Sequence, residues 1–161
     1  MTSSPPDDLP SIPLGCPTGW LASLSPFEPG AELHTLQLAW LGDAVWELHQ
    51  RLLHCQSPGR PADLHNTVVG RVRAEAQALA LERLKPHLSP QEQDLVRRGR
   101  NRAGRGSRRQ AASLYGQATG FETMVGWLFL RDPRRLAVLL DHLEQTNPLP
   151  SPADDHEPLP E

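Results

Sequence analysis

The sequence feature that most constrains the fold is the spacing of apolar residues between Ala31 and Cys55. Apolar side chains recur there at steps of three and four residues, which is the pattern of a helix with one buried stripe. The predicted stripe consists of Leu33, Leu36, Trp40, Leu41, Ala44, Val45, Leu48 and Leu52. Strand-type alternation of apolar and polar residues is nowhere sustained in the sequence. We therefore predict an all-α fold that begins with this amphipathic helix.

Four further helices are predicted downstream. Proline and glycine within residues 57–61 break the first pattern. Ser89 and Glu92 have the spacing of a capping box, and Asp132 before Pro133 gives an N-cap followed by a proline at the first helical position. The predicted bounds are residues 62 or 63 to 84, 90 to 98, 111 or 112 to 130, and 133 to 145. The residues predicted to face the core are Leu64, Val68, Val72, Ala76, Leu79, Leu114, Ala118, Phe121, Val125, Leu128, Leu136, Leu139, Leu140 and Leu143.

Proline content separates a central domain from two tails. Seven of the 17 prolines fall in residues 1–29 and five in residues 148–161. Segments of this composition bury too little apolar surface to offset the entropy lost on ordering. We predict one domain over residues 30–146, with disordered tails at residues 1–29 and 147–161.

The N-terminal residues and the cysteines bear on cellular location. Asp7 and Asp8 stand where a secretory signal would carry basic residues, and no apolar run is long enough for a signal peptide or a membrane span. Cys16 and Cys55 are too few and too scattered for a disulfide framework or a zinc site, so both are interpreted as free thiols. A cytoplasmic protein without membrane contacts is expected.

Charge is segregated along the chain. Residues 30–147 contain all 16 basic and 12 of the 19 acidic residues, a charge of +4, although the whole chain has a net charge of −3. Residues 97–109 form a basic, glycine-containing run in which helix pairing with acids is absent, and the part that follows the predicted helix is expected to be a loop. Arginine favours phosphate because its planar guanidinium can hold two phosphate oxygens, while a solvated charged face is the alternative. The arginines are Arg97, Arg98, Arg100, Arg102, Arg105, Arg108 and Arg109.

Three acidic residues stand in unusual helical positions. Asp43, a poor helix former, follows Gly42 in the middle of the first helix, so it is a candidate site residue or an exposed acid beside a packing glycine. Glu47, one turn later, is a second candidate or a surface charge. Glu122 lies among apolar residues of the fourth helix, so it reaches an edge, is protonated or is held by a cation. A divalent cation is the economical explanation, because Mg²⁺ binds one or two carboxylates and can activate water for phosphodiester attack.

Two segments carry a family resemblance. Residues 38–45, Leu-Ala-Trp-Leu-Gly-Asp-Ala-Val, resemble the signature helix of ribonuclease III enzymes, and residues 121–130, Phe-Glu-Thr-Met-Val-Gly-Trp-Leu-Phe-Leu, resemble their second catalytic helix. Between them, residues 64–69, 74–78 and 92–101 are similar to the Mini-III branch, which lacks a separate RNA-binding domain. The resemblance implies a helical bundle like the ribonuclease III endonuclease domain and cleavage of double-stranded RNA.

The chain departs from the full-length ribonuclease III pattern at two positions. The pattern has a glutamate four residues before Asp43, where this chain has Ala39, and an aspartate three residues before Glu122, where it has Thr119. Mini-III proteins are similar in lacking both. Only Asp43 and Glu122 therefore carry over as catalytic metal ligands, for a single Mg²⁺, although Mn²⁺ suits carboxylate and water ligands equally.

The resemblance also implies how the RNA is bound. It implies a homodimer with two catalytic sites beside a basic valley, each cutting one strand to leave a 5′ phosphate and a 3′ hydroxyl. Residues 97–109, including Asn101, are the expected phosphate clamp, and Asn66 and Gln77 are candidates for minor-groove contacts. The implied role is maturation of large-subunit (23S) ribosomal RNA, and whether a ribosomal protein assists is open.

Two other classes of function fit parts of the sequence. Ala39 and Thr119 would suit a non-catalytic dimeric RNA-binding module or ribosome-assembly factor. The arginines would also suit a helical domain that binds acidic protein partners. Substitution of Asp43 and Glu122 separates these classes, because an enzyme would lose cleavage and keep duplex binding.

Overall fold

The computed structural model describes residues 32–55, 58–103 and 109–146, with the backbone alone at residues 109–111. All of these except Glu32 belong to one structural unit. The described residues form six α-helices and a short 3₁₀ turn at Lys85–His87, without strands, which confirms the all-α prediction. The helices are α1 (Thr35–His54), α2 (Pro61–Val72), α3 (Ala74–Leu84), α4 (Pro90–Arg102), α5 (Arg109–Arg131) and α6 (Pro133–Thr146).

Helix α5 is the central element, and α1, α3 and α4 all pack against it. Its apolar sequence explains the position, because a helix that is hydrophobic on most sides is stable only when surrounded. Trp46 of α1 meets Phe121 of α5 edge to face, with ring centroids 5.1 Å apart. The rest of the core includes Leu81, Leu84, Leu95, Met124, Val125, Leu128, Leu136, Leu139, Leu140 and Leu143.

The two predicted N-caps are confirmed, and one of them joins two helices. The Ser89 backbone N–H donates to Glu92 Oε2 at 2.7 Å, and the Glu92 N–H donates to Ser89 Oγ at 3.3 Å. Arg135 Nε of α6 donates to Glu92 Oε1 at 2.8 Å, and this hydrogen bond holds the pKa of the buried Glu92 carboxyl below its ordinary value. Asp132 accepts from the Arg135 N–H at 3.0 Å, as expected of the N-cap of α6.

Helix α1 buries a different face from the predicted one. Its buried residues are Leu38, Ala39, Gly42, Trp46, Gln50 and His54. Much of the predicted stripe is exposed as a row of residues spaced by four, which we call the α1 ridge: Leu36, Trp40, Ala44, Leu48 and Leu52. The prediction is wrong because α5 approaches α1 most closely at Gly42, so the face of α1 that contains this glycine is the buried one. The apolar residues of the ridge lie on the opposite side.

The single helix predicted between residues 62 and 84 is two helices. Arg73 has an extended backbone, with φ −66° and ψ 157°, and ends α2 before α3 begins. The Trp46 indole Nε1 donates to the Arg71 carbonyl oxygen at 3.1 Å, so a side chain of α1 satisfies a backbone group at the break. Leu79 of α3 is exposed rather than core-facing.

The sequence also predicts the state of the two cysteines, the lack of a membrane span and two disordered tails. Cys55 is an exposed free thiol, as predicted, whereas Cys16 lies outside the described residues. None of the described helices is long and apolar enough to cross a membrane. The predicted tails at residues 1–29 and 147–161 also lie outside the described residues and stay predictions.

Candidate functional site

Asp43 and Glu122 are brought together by a close helix crossing. A Cβ atom added at Gly42 of α1 would overlap the carbonyl oxygen of Glu122 and lie 2.8 Å from the Gly126 nitrogen. A Cβ atom added at Gly126 of α5 would overlap the carbonyl oxygen of Leu38. The two backbones therefore touch directly, and the glycine before Asp43 is explained by packing that places this aspartate beside Glu122.

The two carboxylates share a site that is partly closed to water. Burial is the main reason that the pKa of Glu122 is raised to about 7, and the negative charge of Asp43 raises it further. A hydrogen bond from Gln77 acts in the opposite direction and lowers this pKa. The influences on the Glu122 carboxyl among the described residues are burial, Asp43 and Gln77, with no cation among them, so this pair carries excess negative charge when both groups are ionised.

Gln77 belongs to this site rather than to an RNA groove. Its side chain is 1% exposed, and its Nε2 donates to Asp43 Oδ1 at 3.2 Å. The expected minor-groove contact is therefore wrong in this conformation, because no side-chain surface remains for RNA. A signal was present in the sequence: Gln77 shares a helical face with Leu81 and Leu84, so a polar residue interrupts a buried stripe.

The two positions at which the chain departs from the full-length family pattern are both buried. Ala39 lies on the face of α1 that packs against α5. Thr119 donates from its hydroxyl to the Tyr115 carbonyl oxygen at 3.0 Å, which satisfies it within its own helix. Among the described residues, no group of three or more His, Cys, Asp or Glu side chains could hold a metal ion. Asp43 and Glu122 are the two carboxylates that the sequence predicts as metal ligands, and that role stays a prediction.

The donor chemistry of this pair fits a hard divalent cation. Both side chains offer carboxylate oxygens, which Mg²⁺ and Mn²⁺ prefer. A cation between them would balance the charge that burial and proximity make unfavourable. Glu47, the other candidate acid of α1, is a surface charge that accepts hydrogen bonds from Arg51 Nε at 3.0 Å and Nη2 at 2.5 Å.

The first half of the arginine segment is helical rather than a loop. Helix α4 extends to Arg102, so residues 97–102 lie in its last turns. Arg97 forms an ion pair with Asp94, and Arg98 Nε donates to Asp94 Oδ2 at 2.5 Å. The expectation that these arginines lack acidic partners is therefore wrong for both, because the helix brings Asp94 within one turn of them.

The next residues of the segment present an open polar surface. Arg100, Asn101 and Arg102 are exposed, and a depression of about 270 Å³ is lined by Arg97, Arg100, Asn101, Ala112, Ser113 and Gly116. Among the described residues, no acidic side chain pairs with Arg100 or Arg102. Asn66 is exposed on α2. Arg105 and Arg108 lie outside the described residues, and for Arg109 only the backbone is described.

Helix α4 is fixed beside Glu122 by a second close crossing. A Cβ atom added at Gly99 would lie 2.7 Å from both Gly120 Cα and the Thr119 carbonyl oxygen. Gly120 precedes Glu122 by two residues, so the arginine-bearing end of α4 is anchored within one turn of the carboxylate site. The two predicted parts of the site, the acids and the basic surface, therefore lie on neighbouring helices.

Comparison with known proteins decides the family. Residues 36–133 match the model of the ribonuclease III domain. The chain belongs to the ribonuclease III family. A Mini-ribonuclease 3 from Synechocystis is 46% identical over 81% of this chain and 93% of its own length, and one from Gloeobacter violaceus is 50% identical over 64% and 76%. These relatives place this ribonuclease III domain in the Mini-III branch, as the two motifs indicated.

A solved structure supports the fold of this ribonuclease III family member. A crystal structure of a protein from Fusobacterium nucleatum matches it with a TM-score of 0.64, over 72% of this chain and 91% of that one, at 24% identity. At this identity the likeness shows the fold alone. The family match and the Mini-ribonuclease 3 relatives together establish an endoribonuclease, so the non-catalytic alternative is set aside.

Proposed function

We propose that this chain is a divalent-metal-dependent endoribonuclease that cleaves double-stranded RNA with Asp43 and Glu122 as its catalytic metal ligands. The observation that carries the proposal is the meeting of these two acids at the crossing of α1 and α5, with burial and mutual repulsion raising the pKa of Glu122. Two close carboxylates that lack a compensating cation form a site for Mg²⁺, with Mn²⁺ equally suited.

The residues of the chain divide the work between them. Asp43 and Glu122 bind the ion, which when bound would activate water and stabilise the charge on the phosphodiester under attack. The apolar surroundings of Glu122 exclude water and so strengthen electrostatic interactions at the site. The packing of α1 on α5 fixes the acids before substrate arrives, so little reorganisation is required.

Double-stranded RNA is the proposed substrate, and the end of α4 is its proposed phosphate contact. Arg100, Asn101 and Arg102 are exposed donors beside the carboxylate site, and Arg97 lines the same depression. Arg98, Arg105, Arg108 and Arg109 and the exposed Asn66 complete the proposed surface. A-form RNA is recognised mainly through its shape, phosphates and 2′-hydroxyls, so a surface of this kind is sufficient without base-specific pockets.

The proposed functional unit is a homodimer that matures large-subunit (23S) ribosomal RNA in the cytoplasm. The α1 ridge supports dimerisation, because Trp40 is 82% exposed and a contiguous apolar row on a soluble protein marks an interface. The ribosomal role rests on the resemblance to Mini-III enzymes. Participation of a ribosomal protein is a further part of this proposal and would be tested by adding large-subunit proteins to the cleavage reaction.

The test is cleavage of a labelled RNA duplex and of its single strands, with Mg²⁺ or with EDTA. We expect duplex-specific cutting that requires the metal. Glu122→Gln should reduce the cleavage rate by more than about a hundredfold, since even partners outside the inner ligand shell contribute 10- to 100-fold. Glu47→Gln is the matched control, because Glu47 is a glutamate on a nearby helix that pairs only with Arg51 among the described residues.

Two results would contradict the proposal. Equal cleavage in EDTA and Mg²⁺ would exclude metal dependence. Full activity of Glu122→Gln would remove this residue from the site. Native gels on the same samples report duplex binding separately, so a loss of cleavage is not mistaken for a loss of affinity.

A further inference from the structure

Gln77 is a polar side chain at a position where the helix pattern calls for an apolar one. It lies on α3 in line with Leu81 and Leu84, which are both fully buried. A leucine at position 77 would continue this stripe and add apolar burial. The presence of an amide therefore needs a reason other than packing.

The hydrogen bond of Gln77 supplies that reason. The amide Nε2 donates to Asp43 Oδ1 at 3.2 Å. The same amide also lies close enough to Glu122 to lower the pKa of its carboxyl. Its Oε1 is buried without a partner among the described residues, so the donor end of the amide is the end that faces the site. An amide nitrogen carries two hydrogens, which matches the number of carboxylates beside it.

The balance of hydrogen bonds argues against a purely structural role. A buried acceptor without a partner is destabilising, and an apolar residue would avoid that cost. Two carboxylates at close range repel each other, and a neutral donor between them offsets part of that repulsion without filling the cation site with positive charge. Partners of this kind orient metal ligands in many proteins.

We propose that Gln77 is a positioning residue whose amide holds Asp43 beside Glu122 in the arrangement that takes up the divalent cation. This inference rests on the proposed function, because it assumes that the two acids bind a metal. It assigns to Gln77 no contact with the substrate. Loss of the Gln77 amide is expected to lower the affinity for the ion, and therefore to raise the metal concentration that cleavage requires.

The test compares two buried glutamines. Gln77→Met keeps the volume and removes the donor, and Gln50→Met makes the same change on α1, where Gln50 is 0% exposed, has an unpartnered Oε1 and donates from Nε2 to Glu144 at 3.3 Å. Both variants lose a buried amide bonded to a carboxylate. Of these two glutamines, only Gln77 donates to an acid of the site.

The primary readout is Mn²⁺ binding to the RNA-free protein, followed by electron paramagnetic resonance of the free ion. We expect Gln77→Met to weaken Mn²⁺ affinity by roughly tenfold or more, as for other partners of metal ligands. The Mg²⁺ concentration for half-maximal cleavage should rise by a similar factor, and the rate should recover in part at high Mg²⁺. Gln50→Met should leave both quantities unchanged.

Three outcomes are decisive. Wild-type Mn²⁺ affinity in Gln77→Met, with loss of binding in Glu122→Gln, would overturn the role of Gln77 and leave the metal site intact. Equal weakening of Mn²⁺ binding in Gln77→Met and Gln50→Met would show that general damage to the core, and not the loss of this particular amide, lowers the affinity. Absence of Mn²⁺ binding in the wild type would overturn the proposed function itself.

A second variant covers the case in which Gln77→Met does not fold. Gln77→Asn keeps the amide but shortens the side chain by one methylene, which withdraws Nε2 from the carboxylates. We expect the same loss of Mn²⁺ affinity from this variant. Wild-type affinity in a folded Gln77→Asn protein would overturn the proposal.

Discussion

Arg100 and Arg102 differ from the two arginines before them in their electrostatic surroundings. Arg97 and Arg98 share Asp94, so part of their charge is already balanced within α4. Arg100 and Arg102 are exposed and pair with no described acid. A phosphate therefore gains more from the second pair, whose charge is uncompensated.

Arg100 and Arg102 are therefore expected to contribute directly to RNA binding. Joint substitution of Arg100 and Arg102 by glutamine should weaken duplex RNA binding and make its dependence on salt less steep, by roughly 0.9 per lost phosphate contact in a plot of log K against log salt. Binding is measured without divalent metal, so cleavage does not interfere. Arg134→Gln, an exposed arginine at the start of α6, is the control. An unchanged salt slope would remove α4 from the RNA contact.

The two acids of the site could be predicted from the sequence, whereas their partner Gln77 could not. Asp43 is recognisable as a poor helix former beside a glycine in the middle of α1, and Glu122 as the one acid in an apolar stretch of α5. Both also stand in family motifs. Gln77 was assigned to RNA because its segment resembles the Mini-III pattern, and resemblance does not indicate which way a side chain points. Its orientation depends on how α3 packs against α5, which is a tertiary property.

Among the helices, the contact between α1 and α5 determines the geometry of the site. Gly42 and Gly126 allow the two backbones to touch, and the acids follow from that contact. Gly70 of α2 offers a contrast, because a Cβ atom added there would meet nothing within 4 Å. The two kinds of helical glycine should respond in opposite ways to the same substitution.

Alanine at Gly42 and alanine at Gly70 should change the stability of the protein in opposite directions. Gly42→Ala should lower the free energy of unfolding by about 3 kcal/mol or more, because the added methyl overlaps the backbone of another helix, which exceeds ordinary overpacking of flexible side chains. Gly70→Ala should raise it by about 0.5–1 kcal/mol, since alanine loses less entropy in a helix. Urea unfolding measures both. An unchanged free energy of unfolding in Gly42→Ala would show that α1 and α5 can move apart without a loss of stability.

The elements themselves were predictable where the local signal was strong. The capping box at Ser89 and the N-cap at Asp132 fixed the starts of α4 and α6, because these signals lie within a few residues of each other. The break at Arg73 was missed, since residues 71–76 contain neither proline nor glycine and the Arg71 carbonyl is satisfied by the distant Trp46. The buried face of α1 was also missed, because apolar periodicity does not distinguish a core from an intermolecular contact.

For the whole molecule, the α1 ridge is the feature that a single chain leaves unexplained. Five residues spaced by four present a continuous row to solvent, with Leu36, Trp40, Leu48 and Leu52 as its large members. Burying such a row against a second copy would stabilise both chains. The ridge therefore supports the homodimer proposed for the functional unit.

Charges introduced on the α1 ridge should prevent dimerisation. Combined Trp40→Glu and Leu48→Glu should convert a dimer to a monomer, because two charges on each chain would be buried in the contact. Sedimentation velocity reports the mass. Val138→Glu, at an exposed apolar residue of α6, should leave the dimer intact and is the control. A wild-type protein that sediments as a monomer would contradict the proposed assembly.

The contact of Gly42 with Gly126 also has a consequence for how this enzyme fails under heat. The same backbone contact packs α1 against α5, the central helix, and sets the separation of the two acids. Warming therefore cannot loosen the reactive centre first and leave an inert but intact scaffold. Thermal inactivation and global melting become one event, and the upper temperature limit of the enzyme is set by the cohesion of two helices.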